Sequence, residues 1–315
     1  MTQAIPVLIM GALHPALQNN VETHFAATRY YELANPAAWL AEHGASIRGV
    51  VTSGVYGATA ELINQLPNLE GIFSFGVGYD AIDIGAAKDR GVVVTNTPGV
   101  LDECVADTAL GLMLNVMRRL PEAERFLRAG QWESAKFPLA TKLGGKKVGI
   151  VGLGNIGEQI AKRAAAFGMD VLYHNRREKP GVAYRYYADL DAMISAADVL
   201  VLAVPGGAST ERLIDARRLA LLGEKGFLIN IARGTVVDEP ALIQALQAGT
   251  IAGAGLDVFE HEPKVPRALI EAGNAVLLPH LASGTFETRQ AMADLVYRNL
   301  SGYFFENKQL TTQVC

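Results

Sequence analysis

Short apolar runs alternate with helix-like segments along the first third of the chain. Five of these runs predict β-strands: Pro6–Met10, Arg29–Leu33, Ile47–Ser53, Leu69–Phe75 and Val92–Asn96. Helix patterns lie between them, at Pro15–Phe25, Asn35–His43 and Thr59–Leu66. Strands and helices in alternation predict a parallel sheet that is covered by helices on both faces.

A second series of the same kind begins at Lys147. Its predicted strands are Val148–Val151, Asp170–Tyr173, Val199–Val204, Phe227–Ile231, Gly253–Val258 and Val276–Leu278. Its predicted helices are Gly157–Phe167, Asp189–Ala196, Asp215–Leu222 and Glu239–Ala248. Six strands joined by crossover helices are typical of a doubly wound dinucleotide-binding domain.

Two long helix patterns frame this second series. Asp102–Leu120 precedes it, and Thr285–Phe305 follows its last strand. Because the second pattern comes after a complete sheet, we expect it to pack on the first domain. The predicted fold class is therefore α/β with two doubly wound parallel-sheet domains. Residues 1–98 and 285–315 form one discontinuous domain, and residues 99–284 form the other, inserted within it.

Three glycines with a characteristic spacing follow the first strand of the second series. Gly152, Gly154 and Gly157 form G-x-G-x-x-G between an apolar strand and an Ala-rich helix, which is the context that the dinucleotide fingerprint requires. The first glycine permits a tight turn, the second lets the backbone approach a pyrophosphate, and the third allows close helix packing. The pyrophosphate is then favoured by the N–H groups at the start of the helix.

Composition narrows the class of protein. The chain has 315 residues and a net charge of −4, without the basic surface that nucleic-acid binding requires. Cys104 and Cys315 are the only cysteines, which favours a reducing compartment. The apolar run Ile5–Met10 is too short for a signal sequence or a membrane span. We therefore expect a cytoplasmic protein that binds neither nucleic acid nor membrane, and the scattered histidines predict no metal site.

Charged residues follow three of the later strands. Arg233 comes after an apolar strand and before a glycine, where a guanidinium can bind a carboxylate through two hydrogen bonds. Asp257–Glu262 follows the next strand, and His280 follows the last. A histidine at a strand end near a carboxylate is the pattern for general acid–base chemistry. The carboxyl ends of parallel strands are where ligands bind in this architecture.

These segments resemble the D-isomer-specific 2-hydroxyacid dehydrogenase family. The resemblance runs nearly end to end and is carried by Gly76–Asp80, the glycine fingerprint, Asn230–Gly234, Gly255–Pro263 and Pro279-His280. It implies hydride transfer between a nicotinamide and C2 of a 2-oxo or (R)-2-hydroxy acid. It also implies a flavodoxin-like substrate domain (residues 1–98 and 285–315) and an inserted Rossmann cofactor domain (residues 99–284).

The resemblance also implies roles for particular residues. His280 would donate a proton to the substrate carbonyl, Glu262 would keep His280 protonated and oriented, and Arg233 would bind the substrate carboxylate. Residues implied to border the substrate are Ser53, Gly54, Phe75, Gly76, Val77 and Gly78. Residues expected to contact the cofactor are Gly152, Leu153, Gly154, Asn155, Ile156, Gly157, His174, Asn175, Arg176, Arg177, Val204, Pro205, Ile231, Ala232, Asp257, Ser283 and Gly284.

The strand after the fingerprint predicts which nicotinamide is used. NAD-specific domains place an acid about 20 residues past the glycines, where it binds the ribose 2′-hydroxyl. Here Asn175 lies 18 residues beyond Gly157, and Arg176 and Arg177 follow it. No carboxylate repels a 2′-phosphate at this position, and two guanidinium groups can pair with it. We therefore predict that NADPH is preferred over NADH.

Within the family, the segments Asn175–Arg177 and Glu262–Pro266 most resemble NADPH-dependent reductases of glyoxylate, hydroxypyruvate or hydroxyphenylpyruvate. The alternative is a nucleotide-sensing transcriptional corepressor, which some relatives of this fold are. The resemblance further implies a homodimer formed through Asp102–Leu120 and Pro121–Pro138. Trp132, in the second segment, either reaches a partner subunit's pocket or serves as ordinary packing.

Overall fold

A computed structural model of the chain describes residues 4–315. The chain divides into two compact units, whose boundaries fall after Leu101 and after Ser283. In the described residues, no helix is long and apolar enough to cross a lipid bilayer.

The first unit contains a five-stranded sheet in the order β2-β1-β3-β4-β5. Its strands are β1 (Pro6–Ile9), β2 (Ala26–Arg29), β3 (Gly49–Ser53), β4 (Gly71–Phe75) and β5 (Val93–Thr95). Its helices between strands are α1 (Pro15–His24), α2 (Pro36–His43), α3 (Ala60–Gln65) and α4 (Ile84–Asp89). All neighbouring strands are parallel. This is the flavodoxin-like strand order, and it confirms that part of the predicted fold.

The second unit contains a seven-stranded sheet in the order β12-β11-β10-β9-β6-β7-β8, again with every pair parallel. Its strands are β6 (Lys147–Val151), β7 (Asp170–His174), β8 (Arg185–Tyr186), β9 (Val199–Leu202), β10 (Phe227–Asn230), β11 (Gly253–Leu256) and β12 (Ala275–Leu277). Its helices are α5 (Asp102–Arg118), α6 (Leu120–Arg128), α7 (Asn155–Ala166), α8 (Leu190–Ala196), α9 (Ala216–Leu222), α10 (Glu239–Ala248) and α11 (Arg267–Ile270). The predicted Rossmann fold is thereby confirmed.

The last helix, α12 (Phe286–Phe305), belongs to the first unit. Its side chains Ala293, Val296 and Leu300 pack with Val51 and Phe73 on one face of the first sheet. The opposite face is covered by the apolar sides of α2 and α3. Burial on both faces explains why these strands are apolar at successive positions, without the alternation of a half-exposed strand.

Two details of the predicted elements are wrong. The second strand is Ala26–Arg29, whereas Arg29–Leu33 was the predicted strand; Tyr30–Glu32 forms a 3₁₀ turn. The actual strand lies at the edge of its sheet and is exposed or half-buried throughout, so it lacks the apolar pattern of a central strand. The two-residue strand β8 was not predicted, because its pairing with β7 is too short to leave a periodic pattern.

Candidate active site

Three charged side chains follow neighbouring strands of the second sheet. Arg233 follows β10, Glu262 lies in the loop after β11, and His280 follows β12. These strands are adjacent and parallel, so their carboxyl ends meet at one edge of the sheet. The charge of Arg233 acts on the carboxylate of Glu262, which itself hydrogen bonds to His280. The sheet thus brings the three predicted catalytic residues together.

Glu262 orients the imidazole of His280. Its Oε2 lies 2.6 Å from His280 Nδ1, and its Oε1 accepts a 3.0 Å hydrogen bond from the backbone N–H of Phe259. Because Nδ1 is occupied by the carboxylate, Nε2 is the ring nitrogen left to act on another molecule. The His280 side chain is 41% exposed, so a ligand can reach that nitrogen.

The pKa of Glu262 lies below its usual range. Burial alone would raise the pKa, but the hydrogen bonds from His280 and Phe259 and the positive charge of Arg233 outweigh the burial. Glu262 is therefore a carboxylate at neutral pH. A carboxylate can only accept a hydrogen bond, so Nδ1 of His280 is the donor to Glu262 Oε2.

Asp257 fixes the backbone that carries His280. Its carboxylate accepts hydrogen bonds from the N–H groups of Leu281 (2.7 Å) and Ala282 (2.9 Å), and its main-chain oxygen accepts one from His280 N (2.9 Å). His280 has the left-handed backbone conformation, with φ +49°. Burial raises the pKa of Asp257, while the two amide hydrogen bonds act against the burial. This positioning role was not anticipated; the predicted cofactor contact of Asp257 stays a prediction.

Asn230 and a close backbone contact fix Arg233. The Asn230 side chain accepts from Ala232 N (3.0 Å) and donates to Arg233 O (2.9 Å), which closes the turn after β10. A Cβ at Gly234 would lie 1.8 Å from the carbonyl carbon of Phe259, so only glycine lets the two turns approach this closely. Asn230 was part of the recognised motif, but its role becomes visible only in the folded turn.

The glycine loop between β6 and α7 fits a dinucleotide pyrophosphate. Gly152 has φ +97°, and a Cβ at Gly157 would lie 2.1 Å from Gly152 O. A Cβ at Gly154, in contrast, would meet no atom within 4 Å and would fill open space above the loop. Helix α7 has 12 residues and no side-chain cap, so its first N–H groups face that space. The residues present therefore fit the cofactor that the fold implies.

The segment after β7 is tied to this loop. Asn175 Oδ1 accepts a 2.7 Å hydrogen bond from Leu153 N, and His174 Nδ1 lies 2.9 Å from Tyr187 O. Arg176 and Arg177 are exposed and form no ion pair within residues 4–315. Asn175 thus bridges to the glycine loop, an interaction that was not predicted, and leaves two guanidinium groups available beside it.

The other residues predicted to contact the cofactor also follow strand ends. Val204 and Pro205 come after β9, Ile231 and Ala232 after β10, and Ser283 after β12. A Cβ at Gly152 would lie 2.9 Å from Val204 Cγ1, which places the first pair against the glycine loop. Gly284 falls in the first unit. The cofactor contacts of all these residues stay predictions.

The residues predicted to border the substrate in the first unit also lie together. Ser53 and Phe75 are paired in register at the ends of β3 and β4. The turns that follow these strands are close, since a Cβ at Gly76 would lie 3.9 Å from Gly54 N. Gly76 has φ +140°, a conformation that favours glycine. The loop Phe75–Gly78 is half-buried, so its backbone is partly accessible.

Comparison with known proteins gives a consistent result. Residues 110–282 match the family model described as D-isomer specific 2-hydroxyacid dehydrogenase, NAD binding domain. A glyoxylate/hydroxypyruvate reductase A of Arabidopsis thaliana is 48% identical, and a hydroxyphenylpyruvate reductase of Plectranthus scutellarioides is 46% identical, each over 99% of both chains. A solved NADPH-dependent glyoxylate/hydroxypyruvate reductase of Sinorhizobium meliloti, in complex with NADP and malonate, has a TM-score of 0.91 at 43% identity and covers 99% of this chain and 97% of its own. The family prediction is confirmed: the chain belongs to the D-isomer specific 2-hydroxyacid dehydrogenases, a family of oxidoreductases.

Proposed function

We propose that this protein reduces a small 2-oxo acid to the (R)-2-hydroxy acid with NADPH. The observation that carries the proposal is the grouping of Arg233, Glu262 and His280 at the carboxyl ends of three adjacent strands. A cation, a proton donor and a carboxylate that supports the donor are the groups that carbonyl reduction requires. The bound nicotinamide supplies the hydride.

His280 is the proton donor. Glu262 holds Nδ1 at 2.6 Å, so the proton on Nε2 is the one transferred to the substrate oxygen as charge develops there. The Glu262 carboxylate accepts the hydrogen bond from Nδ1 and so orients the ring during the transfer. In the oxidation direction the same nitrogen accepts the proton from the hydroxyl group.

Arg233 binds the substrate carboxylate and polarises the carbonyl. Its backbone is fixed by Asn230 and by the close approach at Gly234, so the guanidinium starts from a defined position. The backbone N–H groups of the loop Phe75–Gly78 also bind the carboxylate, and Ser53 and Gly54 border the substrate.

The residues that hold the cofactor explain the choice of NADPH. The glycine loop receives the pyrophosphate at the start of α7. Arg176 and Arg177 pair with the 2′-phosphate, and Asn175, which bonds to Leu153, takes the place of the acid that would repel it. The similarity to an NADPH-dependent reductase crystallised with NADP supports this assignment.

The substrate is glyoxylate, hydroxypyruvate or an aryl pyruvate. The names of the relatives at 48% and 46% identity support these candidates. The decisive experiment follows NADPH absorbance with the purified protein and each of these acids, and repeats the assay with NADH. We expect turnover with at least one acid and a higher kcat/KM with NADPH. No turnover with any 2-oxo acid would contradict the proposal and favour a nucleotide-sensing binding role.

We further propose that the protein is a cytoplasmic homodimer. Helix α6 has no buried residue, and Trp132 and Leu139 beyond it are 68% and 99% exposed. A cavity of about 830 Å³ opens beside α6 and Leu139, lined in part by Met117, Arg119 and Leu278. A second copy covers these apolar side chains. Within the described residues neither Cys104 nor Cys315 forms a disulfide bond, which a reducing compartment favours.

Analytical ultracentrifugation tests the homodimer. We expect a dimer for the natural chain and weaker association for Leu139→Asp, which places a charge on the covered surface. A monomer at micromolar concentration would contradict this part of the proposal. Fluorescence microscopy of the tagged protein in its own cells tests the compartment.

A further inference from the structure

We infer that Glu239, the first residue of α10, is a positioning residue for the pair of Glu262 and His280: its carboxyl group holds the loop that carries Glu262, and Glu262 orients His280. This inference rests on the proposed function. It adds to the proposed site a residue that was not among the predicted site residues and that acts from a helix, beside the loop that it holds.

Glu239 is a buried acid whose hydrogen bond goes to this loop. The residue is 6% exposed, and within residues 4–315 it forms no ion pair. Burial raises the pKa of Glu239, while the hydrogen bond from Glu260 N acts against the burial. Burying a carboxyl group costs free energy unless its oxygens accept hydrogen bonds. The partner that offsets part of this cost is therefore the backbone of the loop before Glu262.

Two acidic side chains accept from successive N–H groups of the loop. Glu239 Oε2 accepts a 3.1 Å hydrogen bond from Glu260 N, and Glu262 Oε1 accepts a 3.0 Å hydrogen bond from Phe259 N. The other oxygen of Glu262 lies 2.6 Å from His280 Nδ1. A continuous series of hydrogen-bonded groups thus runs from the start of α10, through the backbone of the loop, to the imidazole.

The other contacts of this loop do not replace the hydrogen bond from Glu239. A Cβ at Gly234 would lie 1.8 Å from Phe259 C and 2.3 Å from Glu260 N, so the loop packs tightly on the turn after β10. Such a contact limits how close the loop can come, but it does not keep the loop there. The Glu260 side chain reaches Arg212 at 3.5 Å, and Arg212 is 56% exposed, so this ion pair contributes little.

Glu239 and Asp257 act in the same way on the two members of the pair. Asp257 accepts from backbone N–H groups directly after His280, and Glu239 accepts from a backbone N–H two residues before Glu262. Both acids are buried, and burial raises the pKa of each. Because the 2.6 Å contact between Glu262 and His280 requires both backbone segments in place, the loss of either anchor lets the two side chains separate.

The test compares variants of two neighbouring residues. Glu239→Leu removes the acceptor and keeps a side chain of similar size, whereas Glu239→Gln retains an acceptor oxygen. Asp238→Ala is the matched control, since it removes the N-cap of the same helix, where Asp238 Oδ1 accepts from Ala241 N at 3.1 Å, and leaves the loop untouched. Each variant is made in the natural protein and in Glu262→Ala. We measure kcat and KM for the 2-oxo acid, the Kd of NADPH and stability by urea unfolding.

We expect Glu239→Leu to lower kcat by about tenfold, because a displaced imidazole loses part of the roughly 10²- to 10⁴-fold contribution of a general acid. The Kd of NADPH should stay within about twofold, and Glu239→Gln should restore most of kcat. In Glu262→Ala the same Leu substitution should change kcat by less than about twofold, since Glu239 acts through Glu262. Asp238→Ala should lower stability and leave kcat within about twofold.

An unchanged kcat in folded Glu239→Leu would overturn the inference and leave the proposed function intact. An equal loss of kcat in the natural and Glu262→Ala backgrounds would also overturn it, because the effect would then not pass through Glu262. If Glu239→Leu does not fold, Glu239→Asp, whose shorter side chain ends farther from Glu260 N, decides by the same comparison.

If the natural protein turns over no 2-oxo acid, the proposed function fails, and amide hydrogen exchange measured by NMR then tests the anchor by itself. Glu239→Leu should accelerate exchange of the N–H groups of Phe259 and Glu260, whereas Asp238→Ala should not. Unchanged exchange at Phe259, whose N–H reports the position of Glu262, would overturn the inference.

Discussion

The loops after β6 and after β4 both follow a buried strand and both present backbone N–H groups, but they hold those groups differently. After β6 the N–H groups belong to the first turn of α7, a 12-residue helix without a side-chain cap. After β4 no helix follows at once, and the six-residue α4 is capped by Asp83. There the carbonyl oxygens of Val77 and Gly76 accept hydrogen bonds from Asn96 and Thr97, about 20 residues along the chain. The first loop thus takes its N–H groups from the helix that follows it, and only Leu153 N bonds to the segment after β7, whereas the second loop is held by the residues after the neighbouring strand β5.

The largest expected effect is on kcat and comes from His280, which lies in neither loop. His280→Ala should lower kcat by about 10² to 10⁴, the usual contribution of a general acid. Neither loop is touched by this change, so the Kd of NADPH should remain within a few-fold. Steady-state kinetics and calorimetry measure these quantities. A kcat near that of the natural enzyme would refute the assignment of His280 as proton donor.

Substitutions of two glycines in the loop after β6 should separate the contribution of this loop to NADPH binding from its contribution to stability. A Cβ at Gly154 meets no protein atom, so Gly154→Ala should leave the free energy of unfolding within about 0.5 kcal/mol and yet weaken NADPH binding tenfold or more. A Cβ at Gly157 meets Gly152 O, so Gly157→Ala should lower stability by about 1–3 kcal/mol. Urea unfolding and NADPH titration report the two effects. Unweakened NADPH binding in Gly154→Ala would show that the pyrophosphate lies elsewhere.

Removing the exposed side chains of Arg176 and Arg177 tests whether the segment after β7 binds the same cofactor as the loop after β6. Arg176→Ala with Arg177→Ala should lower kcat/KM for NADPH about 10- to 100-fold, because two charge-assisted hydrogen bonds to phosphate are lost. kcat/KM for NADH should change little. Arg267→Ala with Arg298→Ala removes the same charge from other exposed positions and is the control. A preference for NADPH that survives the first pair would contradict the assignment.

The smallest effect concerns Glu262 and pH. Its folded pKa lies below the ordinary value of 4.5, so its carboxylate stabilises the fold above that value, and the stabilisation is lost as pH falls through the lower folded pKa. Because the His280 side chain is 41% exposed, we expect the Glu262 carboxylate to contribute about 1 kcal/mol at most to the free energy of unfolding. Urea unfolding of the natural protein and Glu262→Gln from pH 3 to pH 7 measures it. A stability difference that grows as pH falls would contradict this sign.

The sequence predicts well those features that depend on residues close together along the chain. The fingerprint at Gly152–Gly157 could be recognised because strand, glycines and helix are contiguous, and the fold class followed from the alternation of apolar runs. The edge strand Ala26–Arg29 was misplaced because partial exposure removes its apolar pattern. The anchors at Asn96 and Thr97 and the clamp by Asp257 were missed, because each acts on residues about 20 positions away that only the sheet brings near.

The left-handed backbone conformation of His280 means that this residue is ordered during folding and not when substrate binds. Asp257 accepts three hydrogen bonds, from the backbone N–H groups of His280, Leu281 and Ala282, so the conformational entropy of these residues is lost during folding, at about 1–2 kcal/mol each. A left-handed non-glycine residue costs about 1–2 kcal/mol more. These costs lower the stability of the native fold. In return, the imidazole needs no further ordering when substrate binds, and the binding energy remains available to hold the reacting geometry.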